Sequence, residues 1–258
     1  MRRTIPILVI LALVLVCLMP AAVSAKTKTC KVSIVSGIGN RGEVAYNKKG
    51  FVTEVTGEFY TLKYSYTKSG KVKSVTETEL GEPVSKTSFK YSKGKICKLS
   101  YKDYAANKTK TYTVKSDKYG RIASIGSKCT FTYSKGCLKK ATAYYSCEQE
   151  TVTYTYTMDG KNYLKKLSEA SSVNDEILSH TYKKKSKGGN VVQIRKIGKE
   201  PNTLNLRYQK IEIPKKYLKT VKQQRRDLQY YQIERLTMNP IMYPAAWVSD
   251  TEVLTYYN

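Results

Sequence analysis

The chain has 258 residues, with 46 Lys and Arg against 20 Asp and Glu, a formal charge of +26, 23 Tyr and a single His. Chemistry built on several histidines is excluded. A positive excess this large cannot be paired internally, so it predicts attraction to polyanions and sensitivity to salt.

In chain order, residues 1–25 carry Arg2 and Arg3, an apolar run over 5–18, then Pro20 and a small-residue exit at Val23, Ser24 and Ala25. That is the pattern of a secretory signal peptide cleaved near Ala25. It predicts a secreted or cell-surface protein with no transmembrane segment in the mature chain. Residues 26–43 read as an opening strand or cap, with Val32, Ile34 and Ile38 before the glycines Gly37 and Gly39. No helix follows those glycines, so they do not make a phosphate-binding loop.

From Val44 to Ile197 one short pattern recurs around Gly50, Gly70, Gly94, Gly120, Gly136, Gly160 and the Gly188–Gly189 pair. An apolar or aromatic residue stands five or six positions before each glycine, and two apolar residues stand near two and five positions after it. Val44 with Val52 and Val55, and Tyr64 with Val72 and Val75, are examples. A fixed period of this kind marks a repeat architecture. Alternation such as Leu62, Tyr64 and Tyr66 is strand chemistry, and the Lys-Gly or Ser-Gly step that follows is a tight turn. Each unit is therefore expected to be a β-hairpin. The offsets of two and five differ by an odd number, so a regular strand would split those residues between faces. A bulge, or partial cover on both faces, is expected.

The segments Tyr46–Val52 (YNKKGFV), Tyr66–Val72 (YTKSGKV) and Ser116–Ile122 (SDKYGRI) resemble the YD repeats of Rhs-like bacterial proteins. In those repeats a tyrosine-aspartate pair is followed by a glycine, a basic residue and an aliphatic one. Asp117 matches the aspartate; Asn47, Thr67, Ser92, Ser134 and Thr157 stand in its place elsewhere. The resemblance implies tandem β-hairpins in a long curled sheet on a bacterial surface. It also implies either glycan binding or a scaffold role. Seven units are too few to close the hollow shell of long family members. The expected fold is thus all-β: an elongated, curved, open antiparallel sheet over residues 44–213, with a short C-terminal helix.

Residues 214–258 form the last region. Pro214 sits where a helix can begin. Helical spacing puts Tyr217, Val221, Gln224 and Leu228 on one face, and Lys215, Lys219, Lys222 and Arg226 on the other, so the helix should dock on the end of the sheet. Pro240, Pro244 and Trp247 precede a stretch around Val253–Tyr256 that reads as an edge strand or ordered extension.

Binding chemistry is easier to find than catalytic chemistry. Tyr46, Tyr66, Tyr91, Tyr133 and Tyr156 recur at equivalent positions and could present a row of rings, beside Lys48, Lys68, Lys93, Lys135 and Lys161 near the turns. Repetition of this kind gives avidity for a repetitive polymer. The candidate ligand is a wall polyanion or glycan, with no specific nucleic acid. In the alternative, the tyrosines pack against one another and the chain is a structural or protein-interaction scaffold. A third reading, a glycan hydrolase, would use Glu77 with Glu79 or Glu148 with Glu150. His180 falls at a strand position, and its pairing with Cys137 as a nucleophile would need two distant units to meet. No cofactor and no metal are expected, since no C-x-x-C or Cys-His cluster occurs. One disulfide could form among Cys129, Cys137 and Cys147, with the pairing left open.

Overall fold

The structure is a computed structural model that describes residues 28–38, 42–57, 59–145, 149–158, 164–173, 177–187, 190–197, 200–228 and 240–248. The expected leader and the stretch around residues 253–256 lie outside the described residues.

Antiparallel hairpins follow one another along the chain. The first three are β2 (Gly42–Tyr46) with β3 (Val52–Thr56), β4 (Tyr60–Tyr66) with β5 (Val72–Glu79), and β6 (Glu82–Ser92) with β7 (Lys95–Asp103). Then come β8 (Lys108–Ser116) with β9 (Ile122–Ile125), and β10 (Cys129–Ser134) with β11 (Cys137–Tyr145). The last two are β12 (Glu150–Met158) with β13 (Leu164–Ser171), and β14 (Ile177–Lys187) with β15 (Asn190–Ile197). Each hairpin brackets one of the glycine positions of the repeat.

The expected continuous sheet is realised from β2 to β16 (Glu200–Pro214), every strand lying beside its sequence neighbour. β1 (Thr29–Ile38) then bridges the two ends, which the sequence pattern leaves apart. It pairs with β16 from Thr29 opposite Pro214 to Ile38 opposite Leu206, and with β2 through Gly37–Glu43 and Ile38–Gly42, so the strand order forms a closed barrel. The physical gain is that β1 covers the edge of β16 along Leu206–Pro214, while the seam with β2 is two residue pairs long.

The odd offset of the repeat is resolved by bulges. Val52 and Val55 are both fully buried, and the register shifts between Ala45 and Tyr46 on the facing strand. The same shift recurs at Ser65/Tyr66, Lys90/Tyr91, Lys115/Ser116, Thr132/Tyr133 and Thr157/Met158. One extra residue in the return strand brings both apolar side chains to the inner face.

Two turn types close the hairpins. Lys93–Gly94 and Lys135–Gly136 are two-residue turns in which both residues have positive φ, 45° and 80°, and 49° and 81°. This backbone twist matches the twist of the flanking strands. The turns at Gly50, Gly70 and Gly120 are longer, and their first residue caps them. Asn47 Oδ1 accepts the Lys49 and Phe51 N–H groups, Thr67 Oγ1 accepts the Lys71 N–H, and Asp117 Oδ1 accepts the Tyr119 and Arg121 N–H groups. A short side-chain acceptor at this place does the work of a backbone carbonyl.

Strand alternation puts Leu62 and Tyr64 inside and Lys63 and Ser65 outside, and the same holds for Phe131 against Thr130 and Thr132. The outward face of these strands is thus polar and charged, and the apolar residues point inward. The interior is filled partly by the chain's own later residues. Met242, Tyr243, Ala245, Trp247 and Val248 are buried among Tyr64, Phe131, Tyr154 and Leu167, with Trp247 edge-on to Phe131 at 4.9 Å. Around it lies α2 (Ala245–Val248).

The C-terminal helix, α1 (Leu218–Leu228), follows a 3-10 turn at Lys215–Tyr217. Its apolar face is the expected one: Val221 and Leu228 are buried, and Tyr217 packs edge-on against Phe51 at 5.0 Å. Gln224 on that face is satisfied. Its Oε1 accepts the Val52 N–H at 3.2 Å and its Nε2 donates to the Tyr66 hydroxyl at 3.0 Å. Lys215, Lys219 and Lys222 face solvent.

Candidate functional site

Because each strand neighbours the next in sequence, the turns at Gly50, Gly70, Gly94, Gly120 and Gly136 lie on one rim of the sheet. Successive turns are two strand spacings apart, about 10 Å. Lys48, Lys49, Lys68, Lys93, Lys118 and Lys135 are exposed there. Lys161, also expected on this rim, lies outside the described residues. The rim is therefore a line of cations with a regular step.

The tyrosines of the repeat have a different surrounding. Tyr46, Tyr66, Tyr91 and Tyr133 are half-buried and Tyr156 is buried. Tyr66 donates its hydroxyl hydrogen to the Val52 carbonyl at 2.5 Å, Tyr91 to the Val72 carbonyl at 2.7 Å, and Tyr133 to the Ile122 carbonyl at 2.8 Å. In each case the acceptor is the residue two positions after the glycine of the preceding unit. Tyr46, which has no preceding unit, donates to the Val35 carbonyl in β1. These hydroxyls stitch unit to unit. Burial pushes Tyr91 up to about 12, and raises Tyr46, Tyr66 and Tyr133 well above the ordinary phenol range.

Three of the tyrosine rings are also covered by a residue that the sequence reading does not single out, the one directly after Gly50, Gly70 or Gly120. Phe51 lies 5.1 Å from the Tyr66 ring, the Lys71 ammonium 5.1 Å from the Tyr91 ring, and the Arg121 guanidinium 4.3 Å from the Tyr133 ring. The signal was available as the basic residue of the YD-like pattern.

The fourth unit differs from the others. Arg121 donates through Nε to Asp117 Oδ2 at 2.6 Å, and its Nη2 is 2.6 Å from the same oxygen. Burial acts to raise the Asp117 carboxyl, but its hydrogen bonds and the Arg121 charge outweigh that and hold it below the usual carboxylate value. Tyr119, at the tip of this turn, is 70% exposed. Its ring has the Arg121 guanidinium at 4.9 Å and the Lys118 ammonium at 5.2 Å.

The carboxylate pairs and thiols are placed as follows. Glu77 is buried inside the sheet, where Tyr243 donates to its Oε1 at 2.6 Å and Ser85 to its Oε2 at 3.2 Å. Glu79 is half-buried at the strand end. Glu150 accepts from the Ser171 hydroxyl, and Glu148 lies outside the described residues. Cys129 stands opposite Ala143 and Cys137 opposite Ser134, so they occupy the two ends of one hairpin, about 17 Å apart along the strand, and are not bonded to each other. Cys129 Sγ donates to the Trp247 carbonyl at 3.1 Å, and Cys147 lies outside the described residues. His180 stands opposite Leu167 in β14, three strands from the β11 of Cys137 and about 14 Å across the sheet, so the two are not brought together. Among the described residues, no group of three His, Cys, Asp or Glu could hold a metal ion. Nor is any described helix long and apolar enough to cross a membrane.

No protein family and no curated protein matches the chain. Among solved structures it is similar to TcdB2-TccC3-Cdc42, at 13% identity and a TM-score of 0.32, covering 59% of this chain and 10% of that one. The Photorhabdus luminescens Tc holotoxin pore with the TccC3-D651A mutation gives 13% identity and a TM-score of 0.31, with the same coverage. A porin-like protein from Bacteroides uniformis ATCC 8492 gives 13% identity and a TM-score of 0.37, covering 72% of this chain and 97% of that one. The chain thus spans a tenth of the length of the toxin-complex chains. Similarities at this level carry nothing over to its function.

Proposed function

We propose that this protein is an exported, non-enzymatic binding module of the YD-repeat type that holds an anionic or glycan polymer along its glycine-turn rim at the cell surface. The observation that carries this reading is the exposure of Lys48, Lys68, Lys93, Lys118 and Lys135 at the turns of five successive hairpins. A line of cations about 10 Å apart matches a repetitive anion better than a single small ligand, because each weak contact adds to one bound chain. The rings of Tyr66, Tyr91 and Tyr133 contribute little to this surface, since their hydroxyls are committed to backbone carbonyls and their faces are covered. The cations carry the reading.

The test is cosedimentation with purified cell walls, intact or stripped of anionic polymers, over a salt series. The expected result is binding that is lost on stripping, falls steeply with salt, and fails in a variant with Lys48, Lys68, Lys93 and Lys135 all changed to Glu. Retention by that variant, or indifference to salt, would sink the reading. It would leave the hairpins as a scaffold, the role that the hydroxyl stitching already favours for the tyrosines.

A further inference from the structure

Among the described turns of the rim, exposed aromatic surface is concentrated in the fourth unit. The position just before the glycine is Lys49 in the first unit, Ser69 in the second and Tyr119 in the fourth. Among the described residues Tyr119 is one of five large hydrophobic side chains left exposed, at 70%, and it does not hang free. Arg121 lies 4.9 Å from its ring, and Arg121 is itself fixed by the Asp117 carboxylate and by the Tyr133 ring beneath it. The Asp117 carboxylate also caps the turn that carries Tyr119. The ring is therefore held in place before any ligand arrives, so little side-chain freedom remains to be lost on binding. Cations surround it. Lys118 stands beside it, and Lys95 lies against the turn, with its Cγ 3.8 Å from where a Cβ on Gly120 would sit.

The guanidinium and the Lys118 ammonium both lie over the ring, yet 70% of Tyr119 stays open to solvent, unlike the half-buried rings of the repeat, so it suits a ligand that is both ring-shaped and anionic. A pyranose bearing a carboxylate fits: its C–H face stacks on the aromatic, and its acid group meets the guanidinium or ammonium. A polyphosphate or a linear polyol phosphate has the charge but offers no ring. Resting on the polymer-binding reading above, we infer that Tyr119 is the stacking subsite of the rim and that the polymer is an acidic polysaccharide. Tyr119 takes the face of a uronic acid residue, and Arg121, Lys118 and the neighbouring turn lysines take its carboxylates.

Calorimetric titration of the full chain with polygalacturonate and with polyphosphate of matched charge, at one salt concentration, tests this. Tyr119→Ala is expected to weaken polygalacturonate binding about tenfold while leaving polyphosphate binding unchanged, and Tyr119→Phe to keep both. The fourfold Lys→Glu variant should lose both polymers. If Tyr119→Ala changes neither titration, or weakens both equally, the stacking subsite is overturned while the basic rim stands. If the unaltered protein binds neither polymer, the rim reading itself fails and takes the subsite with it. Tyr119 is exposed, so unchanged emission from the buried Trp247 serves as the check that the variant is folded.

Discussion

Ser116 Oγ donates to the Ile96 carbonyl at 2.9 Å, the position in the third unit that corresponds to the carbonyls of Val52, Val72 and Ile122. Those three carbonyls are taken by the hydroxyls of Tyr66, Tyr91 and Tyr133. A serine standing where the repeat has tyrosine thus supplies the same donor from a much shorter side chain. The hydroxyl, more than the ring, is what this position of the repeat provides.

Tyr91→Phe and Ser116→Ala should each cost about 1 kcal/mol in urea unfolding, since each leaves one backbone carbonyl without its side-chain donor. Alkali gives a second readout. The folded protein raises Tyr91 to about 12, against an ordinary phenol value near 10, so the neutral hydroxyl is the form the fold prefers. Stability from this group is complete below about pH 10 and is lost as pH rises from there towards 12. The stability of Tyr91→Phe should fall less steeply over that window. Parallel pH curves for the two proteins would count against it.

Two glycines separate conformational from steric cost. Gly50 and Gly81 both have positive φ, 79° and 93°. A Cβ on Gly50 would come within 2.6 Å of Ile213 Cγ2 and 3.1 Å of Val221 Cγ2, whereas a Cβ on Gly81 meets nothing within 4 Å. Gly81→Ala should cost about 1–2 kcal/mol from backbone conformation alone. Gly50→Ala should cost at least about 1 kcal/mol more, because it also wedges α1 away from β16. Equal midpoints in urea would refute the seating of α1 against this turn.

The residues that fill the interior can be probed through Trp247, the only tryptophan in the chain. It is 5% exposed and edge-on to Phe131 and Tyr154, so its emission should be blue-shifted in the folded protein. Tyr243→Phe removes the donor to the buried Glu77 carboxylate and should cost about 1.5–3 kcal/mol. Trp247→Ala should cost about 3–5 kcal/mol. A solvent-like emission maximum in the native protein would show that the segment from Pro240 to Val248 is not seated inside the sheet.

The sequence shows the hairpins plainly because glycine position and period-two alternation are local signals. The face of α1 is equally legible: Tyr217, Val221, Gln224 and Leu228 are placed by helical spacing, and they are the residues that meet the sheet. What the pattern does not show is which atom receives the Tyr66 or Tyr91 hydroxyl, because the acceptor belongs to the previous unit and its side chain gives no hint of it. The contacts of Lys71 and Arg121 are hidden for the same reason, their rings being those of the next unit. The burial of Met242, Tyr243 and Trp247 leaves no periodic trace, since an irregular segment fills space without repeating. The partnership of β1 with β16 is likewise unwritten in either strand alone.

That partnership bears on how the chain is made. β1 leaves the ribosome first, yet it shares only Gly37 and Ile38 with β2, and most of its length waits for Leu206–Pro214. Every hairpin between can form from contacts a few residues apart, while this last seam joins segments from opposite ends of the chain, a slow, high-contact-order step. Throughout synthesis Val32, Ile34 and Val35 remain unsheltered on a strand with an open edge. During that interval the nascent protein is most exposed to strand exchange with another copy, and a holdase that recognises a short apolar β-strand would have its target there.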